Sequence, residues 1–228
     1  MTKQTPSTRA LLACGVVAGP LYVTVTMIQA LTRGGFDLKQ HRFSWLTTGD
    51  LGWIHQSNMI LVGVLSVLLA VGVRRVMRTD RGAVWAPRLL ALFGVAYIVG
   101  GLLRADPVVG FPPGTTAEMV QSTWHGAGQN ASRGVSTLLL IATSLVIARW
   151  FAAEGRRGLA WFCSVSVPMV FAALAAVGFA IGLNAGVAFL ATPWVWVTAL
   201  AVHMSRREAE RRDGVPAIHA TRSTPVPG

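Results

Sequence analysis

From Gly158 to Ser205 the chain runs for 48 residues without one aspartate, glutamate, lysine or arginine. About twenty apolar residues carry a helix across the ~30 Å of bilayer hydrocarbon. This stretch is therefore long enough for two crossings, and Gly182-Leu-Asn-Ala-Gly186 supplies a turn between them. The expected hairpin is Leu159–Gly182 followed by Ala185–Met204. Three earlier runs, Ala10–Leu31, Trp53–Val73 and Ala86–Leu103, approximate the same length. Another, Val135–Ala148, is too short alone, but carried back to His125 it reaches 24 residues and takes in Gln129, Asn130 and Arg133. Arg133 precedes Arg149 by sixteen residues, about 24 Å along a helix axis, so its guanidinium can snorkel to the opposite interface.

The runs lack the sustained two-residue alternation of membrane strands and are too long for them, which leaves helices. The predicted fold is all-α: a polytopic membrane bundle of six transmembrane helices. A short segment at 1–9 precedes the bundle at 10–204, and a disordered basic tail follows at 205–228. The first run resembles a signal peptide, but its length and the lack of a clear A-x-A site predict an uncleaved span. No repeat of twenty to fifty residues is visible. Small residues four apart, Gly15/Gly19 and Gly178/Gly182, allow close helix approach, within the chain more readily than between copies. Pro168 and Pro193 would kink the last two spans.

Composition agrees. The chain is 53% hydrophobic and 13% charged, against about a quarter charged in soluble domains. The net charge of +11 would suggest nucleic acid in a soluble protein. Here the basic residues sit in short loops and the tail, so anionic lipid headgroups are the expected partner and nucleic acid is not. The bias to arginine over lysine, with abundant Ala, Val and Gly, points to a GC-rich bacterial genome. Cys14 and Cys163 lie inside apolar runs and read as small packing residues, with no disulfide or zinc spacing.

Arginine also gives an orientation. Fifteen basic residues fall in the N-terminal segment, the second and fourth loops and the tail, against five in the other loops (Arg33, Lys39, Arg42, Arg104 and Arg133). That asymmetry places both termini in the cytoplasm and the protein in the inner, cytoplasmic membrane as a multi-pass protein.

The unusual polar residues then gather on the extracytoplasmic side. Asp50 and His55 lie around the first loop, Arg104 and Asp106 close the third helix, and His125 opens the fourth. His125, Gln129, Ser132 and Ser136 stand at offsets of 0, 4, 7 and 11, one helical face, and a polar stripe in a span points into the bundle. Asp50, His55, Arg104, Asp106, His125 and Gln129 are thus candidates for a polar cup open to the outside.

Three readings of the cup stand. It could bind a small solute or lipid headgroup, with Arg104 and Asp106 as an ionic pair and tryptophans as walls. It could be a lipid-directed, metal-assisted hydrolase using His55 and His125, although no HExxH or serine-nucleophile motif is present. Or its residues could cap helices and bridge loops, with Trp45, Trp53 and Trp124 as interfacial belt residues. No cofactor and no dedicated metal site is expected, since loop histidines make poor paired haem ligands. Oligomeric state is open.

Gly19-Pro20 in the first helix, Ser44-Trp-Leu, Gly52-Trp53, Asp106-Pro107 and His125-Gly126 occur in an order that resembles the six-helix membrane family DUF998 of bacteria and archaea, over roughly residues 10–204. Where that family typically has Phe-Pro-x-Asp, this chain has Leu103-Arg-Ala-Asp106. The resemblance implies six helices, points to Asp106 and His125 as a pair, and carries no activity.

Overall fold

The computed structural model describes residues 7–78, 82–165, 167 and 186–213. Helix α1 spans Thr8–Thr32, α2 Gly52–Met77, α3 Trp85–Leu102 and α4 Trp124–Ala153. Residues 157–165 are helical and begin α5, and α6 spans Gly186–Asp213. No strand occurs among the described residues, and these helices make an all-α fold. The remainder of the span expected at Leu159–Gly182, with Pro168 and the pair Gly178/Gly182, lies outside the described residues.

The helices pack in a chain of neighbours: α4 on α3, α3 on α2, α2 on α1 and α1 on α6. Lipid tails are as apolar as leucine, so what draws such helices together is close packing and interhelical hydrogen bonds. Glycines provide the packing. A Cβ on Gly63 or on Gly94 would lie 2.6 Å from the other's carbonyl oxygen, so α2 and α3 touch backbone to backbone there. On α1, a Cβ at Gly15 would meet Leu69 and Ala201, and one at Gly19 would meet the Trp194 carbonyl at 2.8 Å. The Gly15/Gly19 pair is therefore filled by this chain's own α2 and α6. Both cysteines are free thiols.

Four helices among the described residues, α1 to α4, are long and apolar enough to cross a membrane. Tryptophans mark their ends. Trp53 and Trp124 are exposed where α2 and α4 begin, while Trp85 and Trp161 are exposed at the opposite end, where α3 and α5 begin. Two levels of exposed indoles are what membrane interfaces select. Trp45 departs from the expectation of a belt residue. It is half-buried and its ring packs on His41 at 5.5 Å, inside a loop cluster that includes Phe36, Phe43 and Phe111.

Two boundaries also move. The fourth helix begins near the expected residue but continues to Ala153. The basic tail expected to be disordered from residue 205 is helical as far as Asp213. Tertiary contacts hold this extension. Arg207 pairs with Glu154, and Arg211 Nη1 donates to the Val76 carbonyl at the end of α2, at 2.6 Å. Composition argued for a disordered, lipid-associated tail, but Arg207 and Arg211 find a carboxylate just past α4 and a carbonyl of α2.

Candidate functional site

At the end of the bundle where α1 and α3 stop and α2 and α4 start, the loops 33–51 and 103–123 form a cap. Arg33, just past α1, organises it. Its Nη1 donates to the Leu46 carbonyl at 2.5 Å and its Nη2 to that of Thr48, while its guanidinium carbon lies 5.3 Å from the centre of the Phe111 ring. Burial pushes its ionisation down from the ordinary guanidinium value, and the Asp50 carboxylate acts in the opposite direction. Those carbonyls belong to the short 3-10 turn Phe43–Thr47 and the residue after it.

Asp106 closes the helix below. Its carboxylate accepts from the Thr123 amide at 3.1 Å and the Thr123 hydroxyl at 2.5 Å, and that hydroxyl in turn accepts from the Gly126 amide at 3.2 Å. Thr123 is the N-cap of α4. A negative charge over unpaired amides at a helix start is favourable. A Cβ at Gly126 would fall on the Asp106 carboxylate, so glycine lets the acid sit against the first turn. Thus Asp106 is spent on Thr123 rather than on Arg104, and Arg104 is exposed.

The stripe on α4 faces inward as its spacing predicts. Gln129, Ser132 and Ser136 are engaged by the first loop, by α3 and by α4 itself, while His125 Nδ1 is buried with no partner among the described residues. Gln129 Nε2 donates to the Thr47 hydroxyl at 3.1 Å, and that hydroxyl also accepts from the Ala105 amide at 2.9 Å. Ser132 donates to the Ala96 carbonyl of α3, and Ser136 to the Arg133 carbonyl in its own helix. Arg133 reaches back to the Ser44 hydroxyl at 3.4 Å. Side chains on a helix lean toward its N-terminus, and the N-terminus of α4 is at the cap, so this arginine snorkels toward the cap as its position in the run predicts.

His55 and His125 part company. His125 stacks on Trp124, with ring centres 3.6 Å apart, at the rim. His55 sits within the first turn of α2 and is 1% exposed, against Tyr22 of α1 at 5.8 Å. Asp50 is exposed on the loop. Among the described residues no three of His, Cys, Asp and Glu converge as a metal-ligand set. The six candidates therefore divide: Asp106 and Gln129 fasten the fold, Asp50 and Arg104 are surface groups, His125 lines the rim and His55 faces the interior.

Beneath the cap lies a group of polar residues that loop-centred reasoning misses. On α1, Tyr22, Thr26 and Gln29 share one buried face; on α2, His55 and Asn58 face them. Gln29 Nε2 donates to the Leu51 carbonyl at 3.1 Å, and Asn58 Nδ2 to the Tyr22 carbonyl at 3.2 Å. A carbonyl only accepts, so these bonds fix the amide orientations. The amide oxygens, Gln29 Oε1 and Asn58 Oδ1, are then left buried without a partner among the described residues, as is His55 Nδ1. Below them Tyr22 meets Tyr97 of α3 and Trp194 of α6, with ring centres 5.6 and 4.9 Å apart. The hydroxyl of Thr198 is likewise unpartnered among the described residues. The signal was present in the sequence: positions 22, 26 and 29 stand at offsets of 0, 4 and 7, a helical face hidden within an apolar run.

Helices of this length and hydropathy, ending in interfacial tryptophans, define a multi-pass helical membrane protein. The chain belongs to the family described as "Protein of unknown function (DUF998)", whose model matches residues 16–203. The match stops short of the arginine-rich end of α6. No curated protein and no solved structure matches the chain.

Proposed function

We propose that this protein resides in the cytoplasmic membrane with both termini in the cytoplasm, and that it binds a small solute or a lipid headgroup close to its extracytoplasmic end. The observation that carries the binding role is a set of buried atoms without a partner among the described residues, Gln29 Oε1, His55 Nδ1 and Asn58 Oδ1, on the facing sides of α1 and α2. A buried polar group without a partner costs about 1–3 kcal/mol, so three of them together favour a ligand that supplies hydrogen bonds. Amide oxygens accept, so the matching group on the ligand is a hydroxyl or N–H donor. The surrounding Tyr22, Tyr97 and Trp194 rings suit an apolar portion of the same ligand. Of the original cup, His55 remains in the proposed binding set. Asp106 and Gln129 support it from the cap.

Purified protein, stripped of lipid and then given back a polar lipid extract or a panel of polyols and amides, tests this reading by thermal unfolding. At least one addition is expected to raise the unfolding temperature. Asn58→Leu combined with Gln29→Met is expected to abolish that rise, whereas Asp106→Asn retains it because that carboxylate is engaged by Thr123. Equal stabilisation of the wild type and the double variant would refute the assignment.

Orientation is supported by where the arginines lie. Arg74, Arg75, Arg88, Arg149, Arg156 and Arg207 belong to the end away from the cap, and guanidinium groups near the ends of spans favour the cytoplasmic side. In a cysteine-free background, Glu118→Cys is expected to react with an impermeant maleimide in intact cells and Arg157→Cys to react only after lysis. The reverse pattern would invert the topology.

A further inference from the structure

The end of the bundle opposite the cap brings Arg207 and His203 of α6 onto one indole, Trp150 of α4, with Arg156 beside His203. Helix α4 finishes at Ala153, Glu154 caps it, and Gly155, at φ +75°, turns the chain into α5. There Arg156 Nη1 lies 3.2 Å from His203 Nε2 on α6. A guanidinium only donates, so this imidazole nitrogen accepts and the ring is in its neutral form in this arrangement. One helical turn further along α6, Arg207 pairs with Glu154, and its guanidinium carbon lies 4.4 Å from the centre of the Trp150 ring. The His203 ring packs against Phe151 at 5.0 Å and Trp150 at 6.4 Å. Trp150 is 2% exposed, and its indole N–H is buried without an acceptor among the described residues.

The charge of this cluster is unbalanced. Glu154 answers Arg207, while Arg156 meets a nitrogen that carries no negative charge. Arg149, Arg157 and Arg206 stand within a few residues, and these five arginines outnumber Glu154, Glu208 and Glu210 at the same end. The fork of an arginine, and two arginines better than one, suits the oxygens of a phosphate. Depth points to the source of that phosphate. Trp161 and Phe162, on the helix that Arg156 opens, are exposed, as is Trp85 at the start of α3, which puts the cluster at the level of the headgroups.

We propose that Arg156 and Arg207, with His203 between them and Trp150 beneath, form a binding site for the phosphate of an anionic phospholipid. The site is separate from the ligand site near the cap and stands or falls independently of it. The lipid phosphodiester takes the free donors of Arg156, and its acyl chains run alongside the exposed apolar side chains of the neighbouring helices. Arg207, tied to Glu154, covers the indole face and neutralises that carboxylate beside the phosphate.

The test uses the full chain, delipidated in a neutral maltoside detergent. Phosphatidylglycerol, phosphatidylcholine with the same acyl chains, and inorganic phosphate are titrated separately, with binding read by native mass spectrometry and by thermal unfolding. Phosphatidylglycerol is expected to bind at least tenfold more tightly than phosphatidylcholine. Arg156→Gln is expected to weaken that binding about tenfold, with Arg156→Lys between the two because it keeps the charge but loses the fork. Arg104→Gln, at the other end of the molecule, is the control and is expected to bind as the wild type does. The helical circular dichroism of Arg156→Gln should match the wild type, since the side chain is exposed. Equal binding of the two lipids would overturn the proposal, and so would equal losses in Arg156→Gln and Arg104→Gln, which would mean diffuse attraction to basic protein. Displacement of phosphatidylglycerol by millimolar inorganic phosphate would overturn the lipid assignment in favour of the free ion.

Discussion

Replacing Arg33 with alanine is expected to loosen the whole cap while leaving the helices beneath it formed. Its guanidinium donates to the carbonyls of Leu46 and Thr48 and covers the Phe111 ring. Hydrogen bonds to a charged group contribute about 1.5–3 kcal/mol each. The side chain is only partly buried, so a combined loss of about 3 kcal/mol is the expected scale after allowance for solvent. Its removal leaves two carbonyls of a short turn without a donor and uncovers an aromatic ring. Limited proteolysis of the 33–51 loop should accelerate and the unfolding temperature should fall. Arg33→Lys is expected to recover little of this, because one ammonium cannot serve two carbonyls with the planar fork that arginine offers. Full recovery by lysine would show that charge alone, and not the paired donors, holds the loop.

Enlarging Gly94 is expected to be more damaging still. A Cβ there would stand 2.6 Å from the Gly63 carbonyl oxygen and 2.9 Å from a methyl group of Val67. The nearer obstacle is backbone, which cannot rotate aside. Gly94→Ala therefore forces α2 and α3 apart, at about 1–3 kcal/mol for overpacking of this kind. Gly94→Leu should prevent assembly of that helix pair, read as loss of the monodisperse peak on size exclusion in detergent. Gly134→Ala on α4, where a Cβ meets nothing within 4 Å, is the matched control and should behave as the wild type. Similar behaviour of Gly94→Leu and Gly134→Ala would mean that the α2–α3 contact does not govern assembly.

The helices were legible because crossing a bilayer is a local requirement. Twenty apolar residues in succession satisfy it whatever lies elsewhere in the chain, so Ala10–Leu31 and Trp53–Val73 fall within α1 and α2. The inward face of α4 was legible for a similar reason, since an offset of 0, 4 and 7 is a property of the helix itself. Its use was not. Gln129 and Ser132 read equally well as the lining of a cup or as fastenings between helices, and the carbonyls and hydroxyl that claim them belong to α3, to the loop after it and to the first loop. Asp106 repeats the lesson. An acid at a helix end beside an arginine suggests an ionic pair, but the fold brings Thr123 to it across the loop.

The amino-acid sequence determined on its own that lipid is the solvent, where α1 to α4 lie, and which face of α4 turns inward. These follow from hydropathy and helical period, which are sums over neighbours in the chain. The tertiary structure alone decided which polar groups are satisfied. Thr47, Leu51 and Tyr22 offer oxygens to side chains that are 22 to 82 residues away, and only the arrangement of packed helices reveals that the oxygens of Gln29 and Asn58 receive nothing in return from the described residues. Hydrogen bonding demands an approach of about 3 Å, a condition set by helix positions in space and written in no single stretch of sequence.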